Sequence, residues 1–302
     1  MFKSKNSMSR ALVRRETTAG YLFLLPSLFF FVTFVLYPMF LCIYTSFFDS
    51  NMGKNAVDVF VGLGNYKELF RDKLFLGALK NTVVIVVVAV PTVCAFSLWV
   101  ATAIYDMKPA LTSAFRCIFY LPVVTGSVAV TVVWKWMYNS RYGVFNYLFK
   151  SLGIIDQNIN WLGDARFALW CIILILFTTS VGQPIVLYVS ALGNVDHSLV
   201  EAAQVDGANR RQVFWKIKWA QIMPTTLYIL IIPTINSFQC FALIQLLTSG
   251  GPTHSTDTIM YYIYYTAFKL YRYGYGNAMG VVLMIIIAVL SAVQFKLGQQ
   301  SD

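Results

Sequence analysis

The sequence is poor in charge. Only 12% of its 302 residues are Asp, Glu, Lys or Arg, against 58% that are apolar, whereas a soluble domain carries about 25% charged residues. Such a chain cannot coat itself against water on all sides, and the composition is that of a membrane protein. Histidine is scarcer still: His197 and His254 are the only two and fall on opposite faces of the membrane in the topology expected below, so neither a metal site nor a Ser-His-Asp set is proposed. The five cysteines, Cys42, Cys94, Cys117, Cys171 and Cys240, lie in or beside apolar runs without C-x-x-C spacing, the pattern of small buried hydrophobes. No G-x-x-x-x-G-K-[ST] phosphate loop occurs; Gly53-Lys54-Asn55 lacks the upstream glycine, and Gly62-x-Gly64-x-x-Lys67 has the wrong spacing. The chain is therefore expected to be no enzyme and to hold no cofactor or metal of its own. The net charge of +10 does not mark a nucleic-acid binder, because the basic residues are scattered over short connecting segments and form no groove-sized stripe. Attraction to anionic lipid explains them better.

What the sequence does have is long apolar runs. A helical span needs roughly 20 predominantly apolar residues, and six stretches satisfy this: about 20–48, 81–105, 117–138, 167–192, 221–248 and 277–295. The expected fold is all-α and polytopic, with a tail over 1–19, a six-span domain over 20–295 and a short tail over 296–302. The first run is too long for the core of a signal peptide and is expected to be retained as a span. Five basic residues in the first tail, Lys3, Lys5, Arg10, Arg14 and Arg15, are opposed only by Glu16. By the positive-inside rule this puts the N-terminus in the cytoplasm, and an even number of spans returns the C-terminus there. The segment 194–220 then lies inside, and the loops 49–80, 139–166 and 249–276 lie outside, the first with room for a short interfacial helix around 65–70.

No Asp, Glu, Arg or His falls within any of these six spans, and Lys135 is close enough to an end to snorkel. A proton- or ion-coupled carrier ordinarily places such a group inside, so energy for any transport is expected from elsewhere. Neutral polar and helix-breaking residues are concentrated in three spans: Thr125, Gly126 and Ser127; Thr178, Thr179, Ser180, Gly182, Gln183 and Pro184; Pro233, Asn236, Ser237 and Gln239. Their hydroxyls and amides can replace the water around a hydroxyl-rich solute. The same residue types also serve plain helix packing, so the two uses remain open on sequence alone.

Between the fourth and fifth apolar runs lies a polar island, Glu201-Ala-Ala-Gln-Val-Asp-Gly207, continuing to Pro224. Ser198-x-x-Glu201 has the form of a capping box, with Asp196 as the rival cap. The spacing predicts a helix from about Ser198 that stops near Gly207 in a left-handed cap, then a second helical stretch from about Arg210. Leu199, Ala202, Ala203 and Val205 make a shallow, small-residue surface suited to a protein groove, although an amphipathic segment lying on the bilayer would share these features.

Glu201-Ala-Ala-x-x-x-Gly207-x9-Ile217 resembles the EAA loop of the membrane-spanning subunits of binding-protein-dependent ABC importers. Further motifs narrow the likeness to the carbohydrate-type permeases related to the maltose system. They are Phe119-Tyr-Leu-Pro122, Trp134-Lys-Trp-Met-Tyr-Asn139 with Tyr142-Gly143, Trp161-Leu-Gly163, Asp206-Gly-Ala208 and Leu246-Leu-Thr-Ser-Gly-Gly-Pro252, followed by Thr256 to Tyr262 and Ala267-Phe268. One departure stands out: Trp219-Ala220 replaces the family's usual Leu-Pro. The resemblance implies a type I ABC importer permease fold in a bacterial cell membrane, working by alternating access. It implies a sister permease subunit, an extracytoplasmic sugar-binding protein, and a cytoplasmic ATPase dimer that binds the ATP and Mg. It assigns ATPase coupling to Glu201, Ala202, Ala203, Asp206 and Gly207. It also puts the sugar path at 123–127, 178–185 and 236–240, with Ser127, Thr178, Gly182, Asn236, Ser237 and Cys240 as the chosen residues. The competing expectations are a six-span secondary carrier or channel for a neutral solute, and an ABC permease for a substrate such as a glycerol phosphodiester.

Overall fold

The computed structural model describes residues 4–50 and 58–299; the extreme tail residues and the 51–57 part of the loop 49–80, including Gly53-Lys54-Asn55, lie outside the described residues. The chain opens with α1 (Ser4–Phe31), a π-helical turn (Val32–Leu36) and α2 (Tyr37–Thr45), which follow one another without a break. None of the apolar window in this first rod is buried. Its C-terminal end is tied down, where Asn277 Nδ2 donates to Thr45 Oγ1 at 2.7 Å. A ribbon of two residues per strand follows, β1 (Phe48–Asp49) antiparallel to β2 (Val59–Phe60), with Phe48 opposite Phe60. It is the one departure from an all-helical chain among the described residues.

The short helix α3 (Gly64–Leu69) sits where an interfacial helix was expected, and α4 (Lys73–Ile104) is the longest in the chain. The third apolar run is not one rod. It comprises α5 (Pro109–Val124) and α6 (Ser127–Met137), bent by 95°, because Thr125 and Gly126 both adopt extended backbone. After α7 (Val144–Ser151), the fourth run is α8 (Ala168–Ser180) and α9 (Gly182–Gly193), bent by 40°. Pro184 has no amide to offer the carbonyl four residues earlier, which loosens the backbone at this bend. The polar segment forms α10 (His197–Val205) and α11 (Arg210–Val213), and a π-helical turn (Phe214–Lys218) runs straight into α12 (Trp219–Phe238). Then come α13 (Ala242–Leu247), α14 (Ile259–Tyr264), another π-helical turn (Tyr265–Lys269) and α15 (Tyr273–Gln299).

Three helical rods are long and apolar enough to cross a membrane unaided, and five spans result if each bent pair counts as one. The fifth expected run, 221–248, is the one not counted, because it is not continuous: α12 ends at Phe238 and α13 begins only at Ala242.

The core sits where α4, α9 and α12 meet. Val93, Val100, Ile104, Ile185, Tyr188, Leu192, Ile222 and Ile229 pack there, and Ser97 Oγ donates to the Val181 carbonyl at 3.2 Å across the seam. In lipid such association comes from close packing and interhelical hydrogen bonds, since tails are as apolar as leucine.

A second cluster at the opposite end joins α4, α14 and α15 through Phe75, Ile259, Tyr275 and Met279. It is pinned by Asp72, the N-cap of α4, which accepts from Leu74 N–H at 2.8 Å, Tyr262 Oη at 2.6 Å and Tyr275 Oη at 2.9 Å. Burial pushes the Asp72 carboxyl upward, but these bonds outweigh it and hold its pKa below the ordinary carboxylate value. A depressed folded-state pKa means stability that is present above the unfolded value and lost as pH falls through the folded one. Asp72→Asn is therefore expected to reduce stability by about 1–3 kcal/mol at pH 7. The gap to wild type should narrow as the solution is acidified. Thermal unfolding in detergent at neutral and acid pH checks this, and a gap independent of pH would contradict it.

Candidate functional site: an uncharged cavity joined to an exposed helix

A cavity of about 190 Å³ opens between α5, α8, α9 and α12. Its polar lining comes from Thr179, Ser180, Gln183, Tyr228, Asn236 and Ser237, and its apolar lining includes Val123, Leu187 and Ile232. No charged residue contributes to it. The Gln183 and Asn236 side chains are both exposed, and among the described residues neither amide has a protein hydrogen-bond partner. An amide held open in a helical bundle must be satisfied by water or by a bound molecule. Tyr228, Ile232 and Asn236 follow one another at four-residue intervals, so α12 presents them in one row. Pro184 and Pro233 also line the cavity, where the carbonyls left free by a missing amide are tolerated beside water.

The six residues expected along the path divide. Asn236 and Ser237 line the cavity. Thr178 is not among the lining residues while its neighbour Thr179 is, and both hydroxyls donate back to the Ile175 carbonyl at 2.9 Å. Gly182 is buried, and a Cβ there would overlap the Phe119 carbonyl oxygen, so it serves the close crossing of α5 and α9. Ser127 is exposed in the first turn of α6, beyond the bend. Cys240 is buried, and its carbonyl accepts from Thr258 Oγ1 at 2.7 Å. Sequence reasoning passed over Gln183 and Ser180 within a stretch it had noticed, and missed Tyr228. The i, i+4, i+8 relation to Asn236 would have found it.

The polar segment is built from caps. Asp196, and not Ser198, is the N-cap of α10: its carboxylate accepts from Ser198 N–H at 2.9 Å and Ser198 Oγ at 2.7 Å. The expected Ser198-x-x-Glu201 box is therefore absent, since Ser198 stands inside the helix with its hydroxyl turned back to Asp196. Those two bonds hold the Asp196 carboxyl below its ordinary pKa. A reciprocal capping box exists one helix later, with Gln212 N–H donating to Asn209 Oδ1 at 2.9 Å and Asn209 N–H to Gln212 Oε1 at 2.8 Å. Gly207 ends α10 at φ +83°, and the next amide, of Ala208, closes the turn on the Ala203 carbonyl at 2.9 Å. Helix α10 buries none of its own residues. Glu201, Ala202 and Asp206 are exposed, as are Leu199 and Val205, at 51% and 88%. Nearby, burial raises the pKa of Asp106, while Arg210 and His197 act in the opposite direction.

A helical bundle with an uncharged cavity, bent helix pairs beside it and a water-exposed polar helix between two apolar runs has the build of a membrane permease. The chain belongs to the family of binding-protein-dependent transport system inner membrane components, whose family model matches residues 61–299. It is similar to the lactose transport system permease protein LacF of Rhizobium radiobacter, at 32% identity over 94% of this chain and 95% of that one. It is equally similar, at 32%, to the multiple sugar-binding transport system permease protein MsmF of Streptococcus mutans, over 94% and 96% of the two chains. In fold it matches a chain of a bacterial ABC transporter involved in the import of the acidic polysaccharide alginate. The TM-score is 0.81, the identity 23%, and the match covers 97% of this chain and 99% of that one. The protein is thus a multi-pass membrane protein and the permease subunit of a binding-protein-dependent importer, with the type I permease fold.

Proposed function

We propose that this subunit pairs with a sister permease to enclose a path for a sugar or oligosaccharide, driven by ATP hydrolysis in a separate cytoplasmic ATPase dimer. The observation that carries the proposal is the cavity: it is uncharged, and it offers the free amides of Gln183 and Asn236 beside the phenol of Tyr228. Amides and hydroxyls exchange hydrogen bonds with sugar hydroxyls, whereas a phosphodiester would call for Lys or Arg in the lining. At about 190 Å³ the cavity is smaller than the roughly 300–1,000 Å³ of ordinary ligand pockets. That size suits one half of a path completed by a second subunit. An extracytoplasmic sugar-binding protein delivers the solute, both termini lie in the cytoplasm, and ATP and Mg belong to the ATPase. Residues Glu201, Ala202, Ala203, Asp206 and Gly207 make the contact with it.

The test is uptake of labelled sugars, beginning with lactose, into vesicles holding this chain, its sister permease and the ATPase. Uptake that stops when ATP hydrolysis stops supports the proposal. Uptake that ignores ATP but collapses with a protonophore replaces it with a secondary carrier. In the same vesicles Asn236→Leu, which removes the amide, is expected to raise KM about tenfold, while the ATPase still co-purifies at the wild-type level. An unchanged KM would remove Asn236 from the path.

A further inference from the structure

Helix α10 buries nothing of its own, yet a segment that passes on force must be held. Its hold is concentrated at its start. Val195, just before the cap, is 5% exposed within the cluster where α4, α9 and α12 meet, and Val200 packs partly against the same cluster. Between these contacts the backbone N–H of Asp196 donates to Gln221 Oε1 at 3.0 Å. This bond ties the residue that caps α10 to the foot of α12, 25 positions later.

The foot of α12 is itself fixed to its neighbours. Lys218 Nζ donates to Tyr105 Oη at the end of α4 and lies 4.4 Å from the Tyr105 ring centroid. Phe214 and Trp219 pack against the core cluster, and Val213 is buried. From Gln221 to Asn236 the chain is one helix, and fifteen residues at 1.5 Å each span about 22 Å. A rod of that length carries a displacement at its foot to the row Tyr228, Ile232 and Asn236.

We propose that Gln221 is the positioning residue that converts movement of α10 into movement of the cavity wall on α12, through its bond to Asp196 N–H. The proposal rests on the reading of α10 as the ATPase contact. In this chain the joint uses an unbroken helix and a side-chain acceptor.

The experiment needs no knowledge of the sugar. The five native cysteines are replaced by alanine, Asn236→Cys is introduced, and the chain is assembled with its sister permease and ATPase. Maleimide labelling of position 236 is then timed with and without ATP plus vanadate. With Gln221 present, nucleotide trapping is expected to change the labelling rate about tenfold, a coupling of ordinary size. Gln221→Met, of similar length but without the oxygen, should abolish the change, and Gln221→Glu, which keeps an acceptor, should restore most of it. If Gln221→Met does not assemble, Gln221→Asn, a methylene too short to reach Asp196 N–H, is read in its place. A full nucleotide-dependent change with Gln221→Met or Gln221→Asn overturns the joint. If Gly207→Asp in the same assay also leaves the change intact, the reading of α10 as the ATPase contact fails as well. Loss with Gly207→Asp alone removes only the role of Gln221.

Discussion

Gly207→Asp is expected to leave the chain folded and inserted while lowering ATP-driven uptake on the order of 100-fold, near the upper end of ordinary allosteric coupling. Gly207 holds φ +83°, a left-handed conformation that costs an L-residue about 1–2 kcal/mol. A Cβ at this position meets nothing within 4 Å, so the substitution does not clash with the bundle, and its strain stays in the turn. The turn can relieve that strain only by changing the backbone path between α10 and α11. This moves the exposed face of Leu199 and Val205 relative to α12. The core cluster of α4, α9 and α12 is untouched, which is why folding survives. Thermal unfolding, ATPase co-purification and uptake measured on one preparation separate these effects. Wild-type uptake by the variant would show that the turn geometry is not needed, and a large loss of thermal stability would show that the turn supports the fold.

Gly182→Leu is expected to act in the opposite way, through the fold. A Cβ at Gly182 would overlap the Phe119 carbonyl oxygen and lie 2.8 Å from Val123 Cγ2. The first of these is backbone and cannot swing aside, so α5 and α9 must separate. Even one methyl in a packed seam destabilises by about 1–3 kcal/mol, and a leucine is expected to exceed this. Val123 lines the cavity, so the separation also displaces its wall. Unfolding temperature and uptake should fall together, with Gly182→Ala intermediate. A stable protein that fails only to transport would return Gly182 to the role of a path-lining residue.

These two glycines also show what could be read from the chain before its fold was known. Both stand out in the sequence, Gly207 as a helix-ending turn and Gly182 as part of the expected sugar path. Gly207 follows a helix-forming stretch and precedes a capping residue, and such a turn depends on residues within a few positions of one another. Gly182 lies in a run of small and polar residues where packing and path lining leave the same trace in one dimension. Only the approach of Phe119, more than sixty positions earlier, decides between them. The caps follow the same division. Ser198-x-x-Glu201 and Asp196 were both available as helix starts, and Asp196 prevails because its backbone amide is held by Gln221 and Val195 is anchored in the core.

By itself, then, the sequence determined that this chain is a helical membrane protein, which runs are apolar and where the water-exposed island lies. Those properties come from hydropathy and local backbone preference, which act over a turn or two of helix. It also carried the ordered motifs of the family. The tertiary structure decided that 117–138 and 167–192 are bent pairs and that 221–248 is interrupted. It decided which face of each helix meets the cavity, so that Gln183 and Tyr228 line it and Thr178 and Cys240 do not. A polar side chain in a span has two uses, bonding a neighbouring helix or facing a path. The choice depends on the rotation of each helix against its partners, which is settled by contacts between residues far apart in the chain.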